Sequence, residues 1–195
     1  MCRPVSAVPG DVLVLTKPLG TRVAVNAHVM LYNKEKEKKL LENFSKEEII
    51  SLYNSSIDSM VRLNRKAAQL MHKYKAHAAT DVTGFGILGH ANQLASNQKA
   101  CVKFEIHTLP CFANALRVND VFDYGLKTGY SAETSGGLLI SISRENAPML
   151  IKELHELEGW PAFVVGEVFE RVGDSEPYAY LSNESLFVEV MDPHA

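Results

Sequence analysis

Residues 78–90 read AATDVTGFGILGH, a short apolar strand followed by a glycine-rich turn and the start of a helix. Asp81 stands at the end of the strand, and Thr83 and Gly84 follow it in the turn. Glycine permits close backbone approach, and the free N–H groups of a helix N-terminus favour anions. A carboxylate beside such a phosphate cradle suits Mg²⁺, which takes oxygen ligands and bridges phosphates. The spacing fits equally well a tight turn in which Asp81 caps the helix, so the pattern alone leaves both interpretations open.

A second polar turn precedes an apolar strand at residues 133–142, which read ETSGGLLISI. It places Glu133, Thr134 and Ser135 ahead of two glycines at the beginning of the strand. On the pattern alone, an ordinary polar turn explains this run slightly better than a binding site does. Another short apolar strand, DVLVLT at residues 11–16, follows a Pro-Gly turn and ends at a Lys-Pro pair.

Helical patterns alternate with these strands. Ser45 and Glu48 form the sequence signature of a capping box, in which each side chain bonds the other residue's backbone N–H. Apolar residues then recur at steps of three and four from Ile49 to Met71, which predicts one helix of about 25–30 residues. Arg62, on its other face, is expected to be solvated. Helices that alternate with strands, and strands that adjoin near the C-terminus, predict an α+β fold with a mixed sheet covered by helices on one face.

Composition excludes several classes of protein. The 195 residues carry 20 basic and 23 acidic side chains, which gives a formal net charge of −3, and 46% of them are hydrophobic. No basic excess is present to attract a phosphate backbone, so we expect no nucleic-acid partner. No apolar run approaches the roughly 20 residues of a membrane helix, so we expect no membrane partner. Three cysteines make no disulfide framework, and without an export signal we expect reduced thiols and a cytoplasmic location.

Together the motifs resemble the C-terminal region of one enzyme family, selenophosphate synthetase (selenide, water dikinase). Three motifs occur here in the order found in that family: PGDVLVLTKPLGT at 9–21, AATDVTGFGILGH at 78–90 and ETSGGLL at 133–139. The run RLNRKAA at 62–68 also resembles the eukaryotic branch of the family. The resemblance implies a C-terminal domain like that of aminoimidazole ribonucleotide synthetase.

The resemblance also implies how the chain is organised. Residues 1–16 are expected to end an N-terminal ATP-binding domain or its linker, and residues 17–195 to form the C-terminal domain. The family's reactive cysteine or selenocysteine, its lysine and two further metal-binding aspartates precede the matched region, so no catalytic residue is expected in this chain. The chain alone is therefore expected to be inactive. The full-length family enzyme is a homodimer that assembles largely through its N-terminal half.

A reaction follows from the same resemblance. The family makes selenophosphate, AMP and phosphate from ATP, selenide and water with the help of Mg²⁺, and selenophosphate feeds selenocysteine synthesis. Carboxylates and metal ions suit such phosphoryl transfer because positioning and charge neutralisation dominate it. The aspartate of the family's TDVTGFG motif is a Mg²⁺ ligand, which implies that role for Asp81. The candidates for nucleotide or phosphate binding are Thr83, Gly84, Glu133, Thr134 and Ser135.

Two other interpretations of the chain's function and family remain open. A C-terminal region with an intact fold could act without catalysis, as a binding or regulatory module that pairs with the full-length synthetase. Co-purification with that enzyme would favour this interpretation. The chain could instead belong to a purine-synthesis or thiamine-phosphate kinase relative, and the ETSGG and LTKPLG runs argue against that assignment.

Overall fold

The computed structural model of the protein describes residues 5–173 and 178–191. Strands and helices follow one another in these residues as β1 (Asp11–Leu15), α1 (Thr21–Met30), α2 (Lys34–Leu41), α3 (Lys46–Val61), α4 (Arg65–Lys73), β2 (Ala78–Asp81), α5 (Gly86–Ser96), β3 (Val102–Phe112), α6 (Ala115–Phe122), β4 (Leu138–Ser143), α7 (Ala147–Glu158), β5 (Phe163–Glu170) and β6 (Ala179–Val190). None of these helices is both long enough and apolar enough to span a lipid bilayer.

The strands form one six-stranded sheet in the order β2-β4-β1-β5-β3-β6. β3 and β6 are parallel and the other neighbouring pairs are antiparallel, so the sheet is mixed and the predicted α+β class is confirmed. β1 lies between β4 and β5, in the middle of the sheet. Residues 11–15 fall within the segment predicted to end a preceding domain or its linker, and they pair with β4 and β5 in this sheet.

Alternate residues of β1 face two separate cores. Leu13 and Leu15 pack in a core with residues of α1, α3, α5 and α6. Val12 and Val14 pack in a second core, on the opposite face, with residues of α4 and α7. Helices therefore lie on both faces of the sheet, whereas the sequence analysis placed them on one. The reason is that every residue of β1 is buried, and a strand buried throughout needs cover on both sides.

The predicted long helix is in fact two helices. α3 begins with the predicted capping box, in which the Glu48 N–H donates to Ser45 Oγ at 3.1 Å and the Ser45 N–H donates to Glu48 Oε2 at 2.8 Å. α3 ends where Arg62 adopts an extended conformation (φ −71°, ψ 118°), and α4 begins after a short turn. The break lies where the amine of Lys17 hydrogen-bonds carbonyl groups at the end of α3, a contact that no local pattern reveals.

Candidate functional site

The conspicuous sequence motifs meet at one end of three adjacent strands. β1 and β2 both run antiparallel to β4, so their C-terminal ends flank the start of β4. The Thr16 N–H donates to the Leu138 carbonyl at 3.1 Å, and the Leu138 N–H donates back to Thr16 Oγ1 at 2.8 Å. The Val82 N–H donates to the Gly137 carbonyl at 2.9 Å. The sheet thus joins the loops that follow β1 and β2 to the turn that precedes β4.

Asp81 is the last residue of β2, an edge strand, and its side chain is exposed. Its carboxylate makes no hydrogen bond or ion pair with any residue in 5–173 or 178–191. It lines a groove of about 930 Å³ that β2, α4 and α5 enclose, and Met71 and Leu94 belong to the apolar part of the lining. A carboxylate with free oxygens beside an open groove can bind a hard cation.

Asp81 offers one metal ligand rather than a complete site. In the part of the chain that the structure describes, no three His, Cys, Asp or Glu side chains are grouped so that they could hold a metal ion. Proteins commonly hold Mg²⁺ through one or two carboxylates together with substrate phosphates and water. The side chains present therefore fit Mg²⁺ as part of a site whose other oxygens come from a nucleotide or from another part of the protein.

The turn after Asp81 is held by a buried histidine at the start of α5. Thr83 Oγ1 lies 3.1 Å from His90 Nε2, and the Phe85 N–H donates to the same nitrogen at 3.4 Å. Burial lowers the pKa of His90, and the nearby charge of Asp81 opposes this shift. A neutral ring that accepts both bonds at Nε2 carries its proton on Nδ1. Gly84, between these anchored residues, is exposed, and no atom lies within 4 Å of where a Cβ would stand, so a ligand can approach its backbone.

Glu133 does not line the groove. Its carboxylate is 5% exposed and accepts hydrogen bonds from the Gly20 N–H at 2.8 Å, the Thr21 N–H at 2.9 Å and Thr21 Oγ1 at 2.6 Å. Burial raises the pKa of Glu133 to about 7, and the three donors oppose the rise. This geometry is at odds with the predicted role in phosphate binding. A phosphate needs hydrogen-bond donors or cations, and a buried carboxylate that accepts three hydrogen bonds provides neither.

Thr134 and Ser135, by contrast, are exposed. Ser135 lies in the left-handed region with φ 47°, and the hydroxyl groups of both residues make no hydrogen bond within the residues that the structure describes. The turn packs directly on the loop after Asp81, because a Cβ on Gly136 would stand 2.0 Å from the Val82 carbonyl oxygen. Thr134 and Ser135 therefore lie near the start of that loop and remain open to a ligand.

Lys17 is a buried cation whose role the sequence analysis missed. It is 2% exposed, and its Nζ donates to the carbonyl oxygens of Ser59 at 3.0 Å, Arg62 at 2.6 Å and Ser135 at 2.8 Å. Burial lowers the pKa of Lys17 to about 8, the charge of Arg62 adds to the shift, and that of Glu158 opposes it. A lysine directly after an unbroken apolar strand was the available signal, since such a position is seldom solvated.

Arg62 is also enclosed, contrary to the prediction that it is solvated. Its guanidinium pairs with Glu158 at 3.0 Å, where the two side chains are 12% and 9% exposed, and it lies over the Trp160 ring at 5.4 Å. Burial lowers the pKa of Arg62, and Glu158 opposes that shift. The ion pair fixes the turn between α3 and α4 beside the motif loops.

Comparison with known families assigns this fold. The sequence model described as "AIR synthase related protein, C-terminal domain" matches residues 8–177. The chain belongs to the AIR synthase related family and forms its C-terminal domain. Its curated relatives include several selenide, water dikinases, and the predicted resemblance to the C-terminal region of selenophosphate synthetase is confirmed.

Three of these relatives show the extent of the match. The selenide, water dikinase of Dictyostelium discoideum is 51% identical over 189 residues, which are 96% of this chain and 51% of the relative. That of Trypanosoma brucei brucei is 49% identical over 195 residues, 97% of this chain and 49% of the relative. Human selenide, water dikinase 2 is 52% identical over 169 residues, 85% of this chain and 38% of the relative. The chain spans about half the length of the first two relatives.

Solved structures share the fold at low sequence identity. Escherichia coli HypE, a hydrogenase maturation protein, superimposes with a TM-score of 0.64 and 20% identity, over 100% of this chain and 53% of that one. The thiamine-monophosphate kinase of Stenotrophomonas maltophilia gives a TM-score of 0.66 and 18% identity, over 94% of this chain and 53% of that one. A HypE structure in complex with ATP gives a TM-score of 0.62 and 16% identity, over 94% and 51%. At these identities the likeness supports the fold alone.

Proposed function

We propose that this chain supplies the C-terminal half of a selenide, water dikinase, which makes selenophosphate, AMP and phosphate from ATP, selenide and water for selenocysteine synthesis. The observation that carries the proposal is Asp81, whose carboxylate has no partner among the described residues and stands beside an open groove where the motif loops meet. The names of the curated relatives support the reaction, in which ATP is the phosphoryl donor.

In this proposal Asp81 binds Mg²⁺, which neutralises charge on the phosphate oxygens while a phosphoryl group is transferred. Four residues of the two neighbouring turns, the half-buried Thr83 and the exposed Gly84, Thr134 and Ser135, bind phosphate oxygens through hydroxyl and N–H groups. The buried His90 keeps the first of these turns in shape through Thr83 and Phe85. The rest of the nucleotide site, selenide activation and the homodimer contact belong to the other half of the proposed enzyme, which acts in the cytoplasm.

A hybrid enzyme tests the proposal. This chain replaces the matched half of the Dictyostelium discoideum relative, and the hybrid is expected to release AMP from ATP only when selenide is present. Asp81→Asn in the hybrid should lower that rate by about 100-fold or more, because it removes a metal ligand. Asp58→Asn, which changes an exposed aspartate on α3, is the matched control and should leave the rate unchanged. A folded, ATP-binding hybrid without selenophosphate formation, or an active Asp81→Asn hybrid with the same Mg²⁺ dependence, contradicts the proposal.

The purified chain alone provides the complementary test. Because Asp81 is a single ligand, we expect no ATP- and selenide-dependent AMP release from the 195-residue chain. AMP release by the chain would show that the groove at Asp81 holds a complete site, and would refute the part of the proposal that divides the site between two halves.

A further inference from the structure

Glu133 caps a helix that lies far from it in the sequence. Gly20, at the N-cap of α1, has φ 114° and makes no side-chain capping bond. The first free N–H groups of α1 donate instead to Glu133, 112 and 113 residues further along the chain. When Glu133 is ionised, its negative charge also lies at the positive end of the helix dipole, where a carboxylate is favourable. The placement of Glu133 and the placement of α1 are therefore linked.

The main chain of the same residue contacts the loop that follows Asp81. The Glu133 N–H donates to the Thr83 carbonyl at 2.9 Å, and the next N–H, that of Thr134, donates to Thr21 Oγ1 at 2.9 Å. Thr21 Oγ1 in turn donates to the Glu133 carboxylate at 2.6 Å. One residue thus holds α1 with its side chain and the Asp81 loop with its backbone.

The opposite end of the same turn is held by a second charge. Lys17, four residues before Thr21, donates to the Ser135 carbonyl at 2.8 Å. A Cβ on Gly137 would stand 2.6 Å from the backbone nitrogen of Lys17, so the turn and the segment after β1 are in close backbone contact. The turn has little freedom to move unless Glu133 releases α1.

We propose that Glu133 is a positioning residue, which fixes the loop of Thr83 and Gly84 against α1 and thereby sets how well the Asp81 carboxylate binds a divalent cation. The inference rests on the proposed function only for the cation at Asp81; the mechanical link between α1 and the loop stands on the hydrogen bonds alone. Glu133 itself touches neither cation nor nucleotide.

Nuclear magnetic resonance of the ¹⁵N-labelled chain tests the link. Glu133→Gln places an amide N–H₂ against backbone donors, so the amide signals of Thr83 and Gly84 are expected to shift. Leu154→Ala, in the second core, is the control that lowers stability without touching the motif loops, and it should leave those signals in place. Thr21→Val removes one partner of Glu133, and is expected to move the same signals even where Glu133→Gln fails to fold. Unmoved Thr83 and Gly84 signals in a folded Glu133→Gln or Thr21→Val chain overturn the proposal.

Mn²⁺ serves as the cation probe and separates this proposal from the proposed function. In the unaltered chain, Mn²⁺ should broaden the amide signals around Asp81, and Asp81→Asn should abolish the effect. Glu133→Gln, or Thr21→Val in its place, should raise the Mn²⁺ concentration at half-effect by about tenfold, the usual scale for residues that orient a metal ligand. Because Asp81 is a single ligand and holds a cation weakly, the titration extends to high Mn²⁺ concentrations, and no broadening even there counts against the cation site of the proposed function. Broadening with an unchanged midpoint in both variants counts against the positioning role.

Discussion

The two ends of β1 hold buried charges in different ways. At its start, the Asp11 carboxylate is 2% exposed and accepts from Ser141 Oγ at 2.7 Å, His77 Nδ1 at 2.8 Å and the Val8 N–H at 3.2 Å. Near its C-terminal end, Lys17 and Glu133 are also buried, but they hydrogen-bond mainly backbone groups. Side chains that bond each other join strands, whereas charges that bond the backbone determine the shape of loops. The candidate site lies at the C-terminal end of β1, where the buried side chains bond the backbone.

A pair of glycine substitutions gives the largest expected contrast between the two ends. A Cβ on Gly136 would stand 2.0 Å from the Val82 carbonyl oxygen, so Gly136→Ala should cost more than about 4 kcal/mol of unfolding free energy or prevent folding. Gly10, before β1, has φ 95° but no atom within 4 Å of the added carbon. Gly10→Ala should therefore cost only the backbone strain, about 1 kcal/mol. Urea denaturation measures both, and equal losses would show that the contact at Gly136 is loose.

The next largest effect is expected when the buried amine of Lys17, at the C-terminal end of β1, is removed. Lys17→Met leaves three carbonyl groups without their donor, and we expect a loss of about 3 kcal/mol of unfolding free energy. Lys66→Met changes an exposed lysine on α4 and should stay within about 0.5 kcal/mol of the unaltered chain. Hydrogen exchange at the end of α3 should rise in Lys17→Met alone. A Lys17→Met chain as stable as the control would mean that water replaces the amine.

The elements that local patterns predicted are those whose causes are local. The capping box of Ser45 and Glu48, the strand before Asp81 and the position of Asp81 at its end all follow from residues a few positions apart. The break of the long helix does not, because the carbonyl groups there bond Lys17, more than 40 residues earlier. The burial of Glu133 likewise depends on Gly20 and Thr21, more than 100 residues away.

The burial of β1 on both faces is a long-range feature that does have a local signal. An apolar run with no polar alternation is typical of a strand covered on both faces, and this would have predicted helices on both sides of the sheet. The sequence predicted that Asp81 ends a strand and that Thr83 and Gly84 follow it in a turn, and the structure has them there. Which side chains there point outward could not be predicted, because that depends on how three distant segments meet.

The unfolding free energy is expected to fall with rising pH because of Glu133. Burial raises its folded pKa from 4.5 to about 7, so the folded state holds a proton that the unfolded state has released between these values. The stabilising contribution is thus full below pH 4.5 and is lost as pH rises through about 7, which lowers the unfolding free energy by roughly 2 kcal/mol between pH 5 and 7.5. Glu133→Gln should remove this part of the slope.

The control for this experiment is Glu145→Gln, an exposed glutamate before α7, which should keep the slope of the unaltered chain. Urea denaturation at the two pH values provides the measurement, and the difference between each variant and the unaltered chain isolates the single group. If Glu133→Gln leaves the slope unchanged, the three hydrogen-bond donors, rather than burial, determine the pKa of Glu133.

The smallest effect is expected at the start of β1. Ser141→Ala removes a hydroxyl that donates to Asp11, at a cost of about 1.5 kcal/mol, because the carboxylate keeps His77 and the Val8 N–H as donors. Ser143→Ala, two residues along the same strand, is the matched control and should cost less than about 0.5 kcal/mol. The amide signals of Thr83 and Gly84 should not move in Ser141→Ala, since a network of side chains that joins strands does not shape the distant loop. A shift there would mean that the two ends of β1 communicate through the sheet, and that the motif loops are not positioned by their own contacts alone.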